Sequence, residues 1–126
     1  MEKVLSIALG GAFGALLRVY GSDWIMRFFP SAMIPYGTMV INILGAFLIG
    51  LCAGLFTGRP DWPAWARFLL ISGGLGAFTT FSTYMLEWLN LMLAGNYGHA
   101  FVYGLAQVVA GLLLCWLGII VARALI

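Results

Sequence analysis

Charged residues are scarce in this chain of 126 residues. Only 8% of its residues are Asp, Glu, Lys or Arg, whereas a soluble domain carries roughly 25%. So little charge, together with 63% hydrophobic residues, excludes a soluble globular domain. The net charge of +2 comes without a basic cluster, which argues against nucleic acid as a partner. We therefore expect a protein that is embedded in a lipid bilayer.

Side chains that could carry enzyme chemistry are also few. The chain has two cysteines and one histidine, and none of them has a further ligand at metal-binding spacing. Cys52 and Cys115 lie within apolar runs, where cysteine behaves as a small apolar residue, and His99 stands alone. No Ser/His/Asp set, carboxylate pair or phosphate-binding loop can be assembled. The sequence thus predicts that the protein is not an enzyme.

Long apolar runs make up almost all of the chain. A helix crosses the bilayer in about 20 apolar residues, so four crossings use roughly 80 residues and leave only short connections. Pro, Gly and Asn mark those connections, and Trp and Tyr lie near the ends of the runs. We predict an all-α membrane protein with a single four-helix domain over residues 1–126 and helices at Val4–Trp24, Tyr36–Phe56, Ala66–Leu93 and His99–Leu125.

The distribution of Lys and Arg gives a weak preference for one orientation. The side that holds both termini and the second connection carries more of these residues, so the positive-inside rule favours cytoplasmic termini. The excess is small because Arg18 and Arg123 both lie near helix ends. Insertion in both orientations therefore stays open.

Small residues recur at helix-packing intervals. Gly10 and Gly14 form a GxxxG pair on the first helix, which favours close packing of neighbouring backbones. Because four thin helices bury little interior, a polar path forms more naturally between subunits than inside one. Comparable series occur at Ala46, Gly50 and Gly54 and, every seven residues, at Gly104, Gly111 and Gly118.

The third helix combines glycines with hydroxyl and aromatic side chains, from Gly73 to Tyr84. Irregular backbone at membrane depth survives only where protein or a water-filled cavity surrounds it. A glycine-broken helix with hydroxyl groups is therefore typical of a place where a polar species binds or passes. The alternative is that the glycines allow close packing and the hydroxyls bond to their own helix. This stretch alone leaves both interpretations open.

Polar side chains within the spans are few, and each is costly in a membrane. Thr38 and Asn42 are four residues apart and share a face of the second helix. Taken singly, each polar residue has an explanation in packing. Together they supply amide and hydroxyl donors and aromatic edges without a deeply placed carboxylate, which favours an anion over a cation. On the third helix, a polar stripe is formed by Thr80, Thr83, Tyr84 and Glu87, with Phe81 beside it.

Three sequence blocks resemble the signature blocks of the Fluc/CrcB fluoride channels. They are GGAFGALLR at 10–18, GTMVIN at 37–42 and GGLGAFTTFSTY at 73–84. The resemblance covers the whole chain and implies an antiparallel, dual-topology homodimer with two fluoride pores. It also implies a central structural sodium ion held by backbone carbonyls, and passive export of fluoride through the bacterial inner membrane, which reduces fluoride toxicity.

The resemblance assigns roles to individual residues. Asn42 and Phe81 match pore residues, and Tyr84 stands where the family usually has a second phenylalanine. Gly76 and Thr79 match the carbonyl positions that coordinate sodium. We therefore expect a pore lined by Thr38, Asn42, Thr80, Phe81, Ser82, Thr83, Tyr84 and Tyr103, with Arg18 and Glu87 at its vestibules; Gln107 and Gly111 replace serines that are common in the family.

A small multidrug transporter is the main alternative, because it is also a four-helix, dual-topology dimer. Such a transporter needs a membrane-embedded carboxylate in its first helix, and this chain has none between Val4 and Tyr20. A membrane scaffold that transports nothing would explain the packing glycines. It would leave the cluster of hydroxyl and aromatic side chains unexplained.

Overall fold

Four helical spans account for nearly all of the computed structural model, which describes residues 1–126 and contains no strand. Helix α1 covers Glu2–Met26, α2 covers Tyr36–Gly58 and α6 covers Tyr97–Leu125, while the third span runs from Ala64 to Leu93 in several segments. All four spans are long and apolar enough to cross a membrane. The four predicted helices are confirmed, and their ends differ from the predicted ones by no more than two residues.

The third span is interrupted at two threonines. Thr79 (φ −90°, ψ 160°) and Thr80 (φ −147°, ψ 122°) have extended backbones between helical segments. The glycines that precede them are helical, whereas the sequence pattern predicted the break at the glycines themselves. In chain order, the segments are α3 (Ala64–Arg67), a π-helical segment (Phe68–Leu75), α4 (Gly76–Phe78) and α5 (Phe81–Leu93).

The glycines of the π-helical segment serve close packing against α1. A Cβ atom placed on Gly10 would overlap the Leu69 carbonyl oxygen, and one placed on Gly14 would overlap the Gly74 carbonyl oxygen. A Cβ on Gly73 would lie 2.7 Å from the Ile7 carbonyl oxygen. The two backbones therefore touch directly, as the GxxxG spacing predicts.

Helices α2 and α6 approach each other in the same way. A Cβ on Gly50 would overlap the carbonyl oxygen of Cys115, and one on Gly118 would overlap that of Phe47. Side chains instead join α5 to α6: Tyr84 and Leu91 pack against Ala100 and Tyr103 in a small core cluster. Only 20 of 126 residues are buried, so the interior of one chain is thin.

Candidate functional site

Asn42 on α2 holds the interruption of the third span. The Thr80 N–H donates to Asn42 Oδ1 at 2.8 Å, and Asn42 Nδ2 donates to the Thr80 carbonyl oxygen at 3.0 Å. In an unbroken helix, the Thr80 N–H would bond to the Gly76 carbonyl. One side chain thus satisfies both backbone groups of Thr80, which hydrocarbon could not do.

The two threonines also end one helix and begin the next. The Thr79 N–H and hydroxyl both donate to the Leu75 carbonyl, each at 3.1 Å. Thr80 is the N-cap of α5, and its Oγ1 accepts from the Thr83 N–H at 3.3 Å. Threonine is a favoured N-cap residue because its hydroxyl can accept from the backbone N–H three residues later. Thr80 was therefore a possible start of α5 that the sequence itself indicated.

Gln107 on α6 extends this network, although it was not among the predicted pore-lining residues. Asn42 Nδ2 donates to Gln107 Oε1 at 2.8 Å, and the Gln107 side chain is buried. The sequence feature that could have identified Gln107 is its position within an apolar span, where a polar side chain is costly.

An open cleft of about 270 Å³ lies beside the interruption. Four predicted pore residues meet there: Asn42, Thr80, Phe81 and Tyr84. The Phe81 and Tyr84 rings lie edge to face, with their centroids 6.2 Å apart. Phe81 is 73% exposed in the single chain. The remaining lining residues are Gly45, Ala46, Ile49, Thr79 and Gln107.

Tyr84 is held in place by its hydroxyl group and its ring. The hydroxyl donates to the Gly104 carbonyl oxygen on α6 at 2.5 Å. The ring stacks on Trp88 with centroids 5.6 Å apart and an interplanar angle of 17°. The Tyr84 hydroxyl hydrogen is therefore already donated within the protein, and the ring is the part of Tyr84 that can contact a species in the cleft.

Glu87 is the centre of a second polar cluster. Its carboxylate accepts from the Thr38 hydroxyl at 3.0 Å and from the Tyr103 hydroxyl at 2.5 Å. Thr38 is near the start of α2, Tyr103 is in the first third of α6 and Glu87 is at the middle of α5. The cluster therefore ties three spans together toward one end of the bundle, and none of its residues lines the cleft.

Of the other predicted site residues, all but Thr79 lie outside both groups. The Arg18 Nε donates to the Ala77 carbonyl at 2.9 Å and so links α1 to α4. Gly76 and Ser82 are exposed, while Thr83 is half-buried. Thr79 lines the cleft.

The chemistry of the cleft follows from its lining. None of the lining side chains carries a charge. Thr80 lines the cleft, and its hydroxyl accepts from the Thr83 N–H and carries one hydrogen of its own that it can donate. The edges of aromatic rings carry partial positive charge. Such a lining favours a small anion, because a cation would meet no carboxylate there.

Comparison with known proteins assigns the chain to a family. The family model described as "CrcB-like protein, Camphor Resistance (CrcB)" matches residues 5–119. The chain is 43% identical over 121 residues to a protein of Magnetococcus marinus named "Fluoride-specific ion channel FluC", which covers 96% of this chain and 98% of that protein. Proteins of the same name from Geobacter sp. (43% identity; 99% of this chain, 100% of that protein) and Hydrogenobaculum sp. (46%; 90% and 92%) are similarly related.

Proposed function

Since the chain belongs to the CrcB-like family, we propose that it is a fluoride-selective ion channel through which cytoplasmic fluoride leaves the cell passively. Family membership confirms the resemblance that the three sequence blocks indicated. The named relatives are ion channels, so the chain is not an enzyme. These relatives and the four apolar helices identify it as a multi-pass bacterial membrane protein, as predicted.

The cleft beside Thr80 is the observation that carries this proposal. Fluoride holds its water tightly, so a pore must replace that hydration with other donors. Here the Thr80 hydroxyl, the amide network of Asn42 and Gln107 and the rings of Phe81 and Tyr84 border one uncharged cleft. The donors and the positive ring edges attract an anion, whereas a cation would find no carboxylate in the lining to balance its charge.

We further propose that two chains form an antiparallel homodimer with dual topology. The cleft is open on the surface of the single chain, and Phe81 is largely exposed beside it. Lipid against this opening would put the polar lining in contact with hydrocarbon, which is unfavourable. A second chain would cover each cleft and convert it into a narrow path, which makes two pores per dimer.

A structural sodium ion between the two interruptions is part of the same proposal. The Thr80 N–H donates to Asn42, so it does not complete the usual helical bond to the Gly76 carbonyl. Thr79, which ends α4, has an extended backbone. Carbonyl oxygens released in this way suit a hard cation, and the exposed position of Gly76 suits a site shared with another chain. The ion would stabilise the association of the two chains.

Fluoride efflux from liposomes tests the function. Vesicles that contain the purified protein should release fluoride and retain chloride. Empty vesicles give the background. Equal rates for the two anions would contradict fluoride selectivity, and no fluoride release from well-folded protein would contradict the channel itself.

Gly76→Leu tests the dimer. A Cβ on Gly76 would meet only the Ile71 carbonyl at 3.5 Å within its own chain, which is ordinary contact. A leucine there should therefore leave the monomer folded but separate the two copies, as measured by cross-linking in membranes. Gly98→Leu is the control because a Cβ on Gly98 has no neighbour within 4 Å. A dimer fraction that stays unchanged in Gly76→Leu would contradict this interface.

A further inference from the structure

We propose that Trp88 is a positioning residue of the anion path: its indole ring fixes the rotation of the Tyr84 ring, so that the edge of that ring borders the cleft. Trp88 does not line the cleft itself. This role rests on the proposed fluoride channel and deepens it, because it determines which part of Tyr84 an anion meets.

The rotation of an aromatic ring determines the sign of the charge that the ring presents. Its edge carries partial positive charge and its two faces carry partial negative charge. Tyr84 lines the cleft although only 6% of its surface is exposed, so a small part of the ring reaches the opening. A quarter turn about the Cβ–Cγ bond would replace the edge with a face, which repels an anion.

The hydroxyl bond of Tyr84 does not control this rotation. The hydroxyl donates to the Gly104 carbonyl oxygen and so fixes where the far end of the ring lies. The hydroxyl oxygen, however, lies on the axis about which the ring turns, so this bond survives a rotation. The ring torsion itself has only a broad preference. Another contact must therefore hold the ring in one orientation.

Trp88 supplies that contact. It follows Tyr84 by four residues on α5, which places both rings on the same face of the helix. The two rings lie nearly parallel, at 17° and with centroids 5.6 Å apart. The other two aromatic neighbours, Phe81 and Tyr103, are inclined to the Tyr84 ring by 74° and 59°. Only Trp88 covers a face of this ring, and a rotation would drive the ring edge into the indole.

Gly104 on α6 keeps Trp88 in this position. A Cβ atom on Gly104 would overlap the Trp88 ring, so the indole occupies this place only because residue 104 has no side chain. The same residue accepts the hydroxyl bond of Tyr84. One glycine thus fixes the far end of the Tyr84 ring and admits the indole that sets its rotation.

The test compares Trp88→Phe with Trp88→Leu in the liposome assay. Both replacements are smaller than tryptophan and similar to each other in size, but only phenylalanine keeps a flat ring that can stack on Tyr84. We expect Trp88→Leu to pass fluoride about fivefold more slowly than Trp88→Phe, with equal dimer fractions. Equal rates for the two variants would show that Trp88 only fills space, and would overturn the inference.

Trp116→Leu is the matched control for the loss of an indole. Trp116 is 64% exposed on α6 and lies outside the cleft lining. This variant should pass fluoride at the rate of the wild-type chain. A decrease as large as that of Trp88→Leu would show that the loss of any indole slows the channel, and would overturn the assignment to Trp88.

Nuclear magnetic resonance tests the orientation directly and does not require a Trp88 variant that folds. With tyrosine carbon-labelled at both ε positions, the wild-type chain should give two Tyr84 signals, because a held ring keeps its two edges in different surroundings. Tyr84→Phe identifies these signals by their absence. One averaged signal in the wild-type chain would show that the ring rotates freely, and would overturn the inference. The two signals should persist in Trp88→Phe and merge in Trp88→Leu.

The outcomes separate the two proposals. If the wild-type chain passes fluoride and Trp88→Leu passes it equally fast, the positioning role of Trp88 is wrong and the channel stands. If the wild-type chain passes no fluoride, the proposed function fails, and the role of Trp88 in an anion path fails with it.

Discussion

The two halves of the third span are stabilised in different ways. Before the interruption, the π-helical segment Phe68–Leu75 lies against α1, and the contact consists of backbone atoms brought together by glycines on both sides. After it, α5 meets α6 through side chains, with hydrogen bonds from Tyr84 and Tyr103 and with the Trp88 ring lying against Gly104. The contact with α1 depends on glycines, which have no side chains, whereas the contact with α6 depends on the polar groups of tyrosine side chains.

This difference explains where the span breaks. Close packing keeps the glycine-rich half helical, since leaving the helix there would lose the fit against α1. At Thr79 and Thr80 the chain passes from one kind of contact to the other, and Asn42 supplies the hydrogen bonds that the helix gives up. The polar cleft lies at this transition. Substitutions at four positions, in order of decreasing effect, test the contrast.

Gly14→Ala should have the largest effect. The added Cβ overlaps the Gly74 carbonyl, so α1 and the π-helical segment must separate, at a cost of about 3 kcal/mol in the free energy of unfolding. Gly11→Ala is the control, because a Cβ on Gly11 has no neighbour within 4 Å. Equilibrium unfolding in detergent micelles measures both. Equal stability of the two variants would show that this contact does not depend on glycine.

Asn42→Asp should abolish fluoride efflux. The substitution removes both Nδ2 donors and places a carboxylate oxygen against the Thr80 carbonyl and Gln107 Oε1. A fixed negative charge beside the path also repels the anion. Rates near the background of empty vesicles are expected, whereas Asn90→Asp at an exposed position should conduct normally. Near-normal efflux in Asn42→Asp would remove Asn42 from the site altogether.

The Tyr84 variants distinguish the ring from the hydroxyl group. Tyr84→Phe loses one bond to the Gly104 carbonyl, about 1 kcal/mol of stability, but keeps the positive ring edge and should conduct. Tyr84→Ile loses the edge and should lose most of the fluoride efflux. Rates are compared at equal amounts of reconstituted protein. An impaired Tyr84→Phe would mean that the hydroxyl leaves Gly104 to serve the anion, and an active Tyr84→Ile would exclude both roles.

Thr79→Ala should have the smallest effect. The Thr79 hydroxyl bonds only to the Leu75 carbonyl of its own span, so its loss costs about 1 kcal/mol. If sodium is bound by backbone carbonyls, the alanine variant keeps the ion. Sodium binding by the purified dimer, measured by isothermal titration calorimetry, should match that of the wild-type chain. A clear loss of affinity would assign the ligand to the side chain.

Much of this molecule follows from local pattern in the sequence. Apolar length, with Pro, Gly and Asn at the connections, predicted the four spans to within two residues, because crossing hydrocarbon requires about 20 apolar residues whatever the tertiary structure. The spacing of Gly10 and Gly14 predicted a close helix contact, since residues four apart share a face. The scarcity of polar residues within the spans singled out Asn42, Thr80 and Tyr84, and the family resemblance added Phe81; these four residues meet in one cleft.

Other features required the tertiary structure. The glycines pointed to a break, but packing on α1 keeps them helical, and Asn42, 38 residues earlier, places the interruption at Thr79 and Thr80. The bond from Asn42 to Gln107 and the bond from Tyr84 to Gly104 likewise depend on which turn of α6 faces α2 and α5. Helical period determines which residues share a face, whereas the pairing of donors and acceptors depends on the register between helices, which only their packing decides.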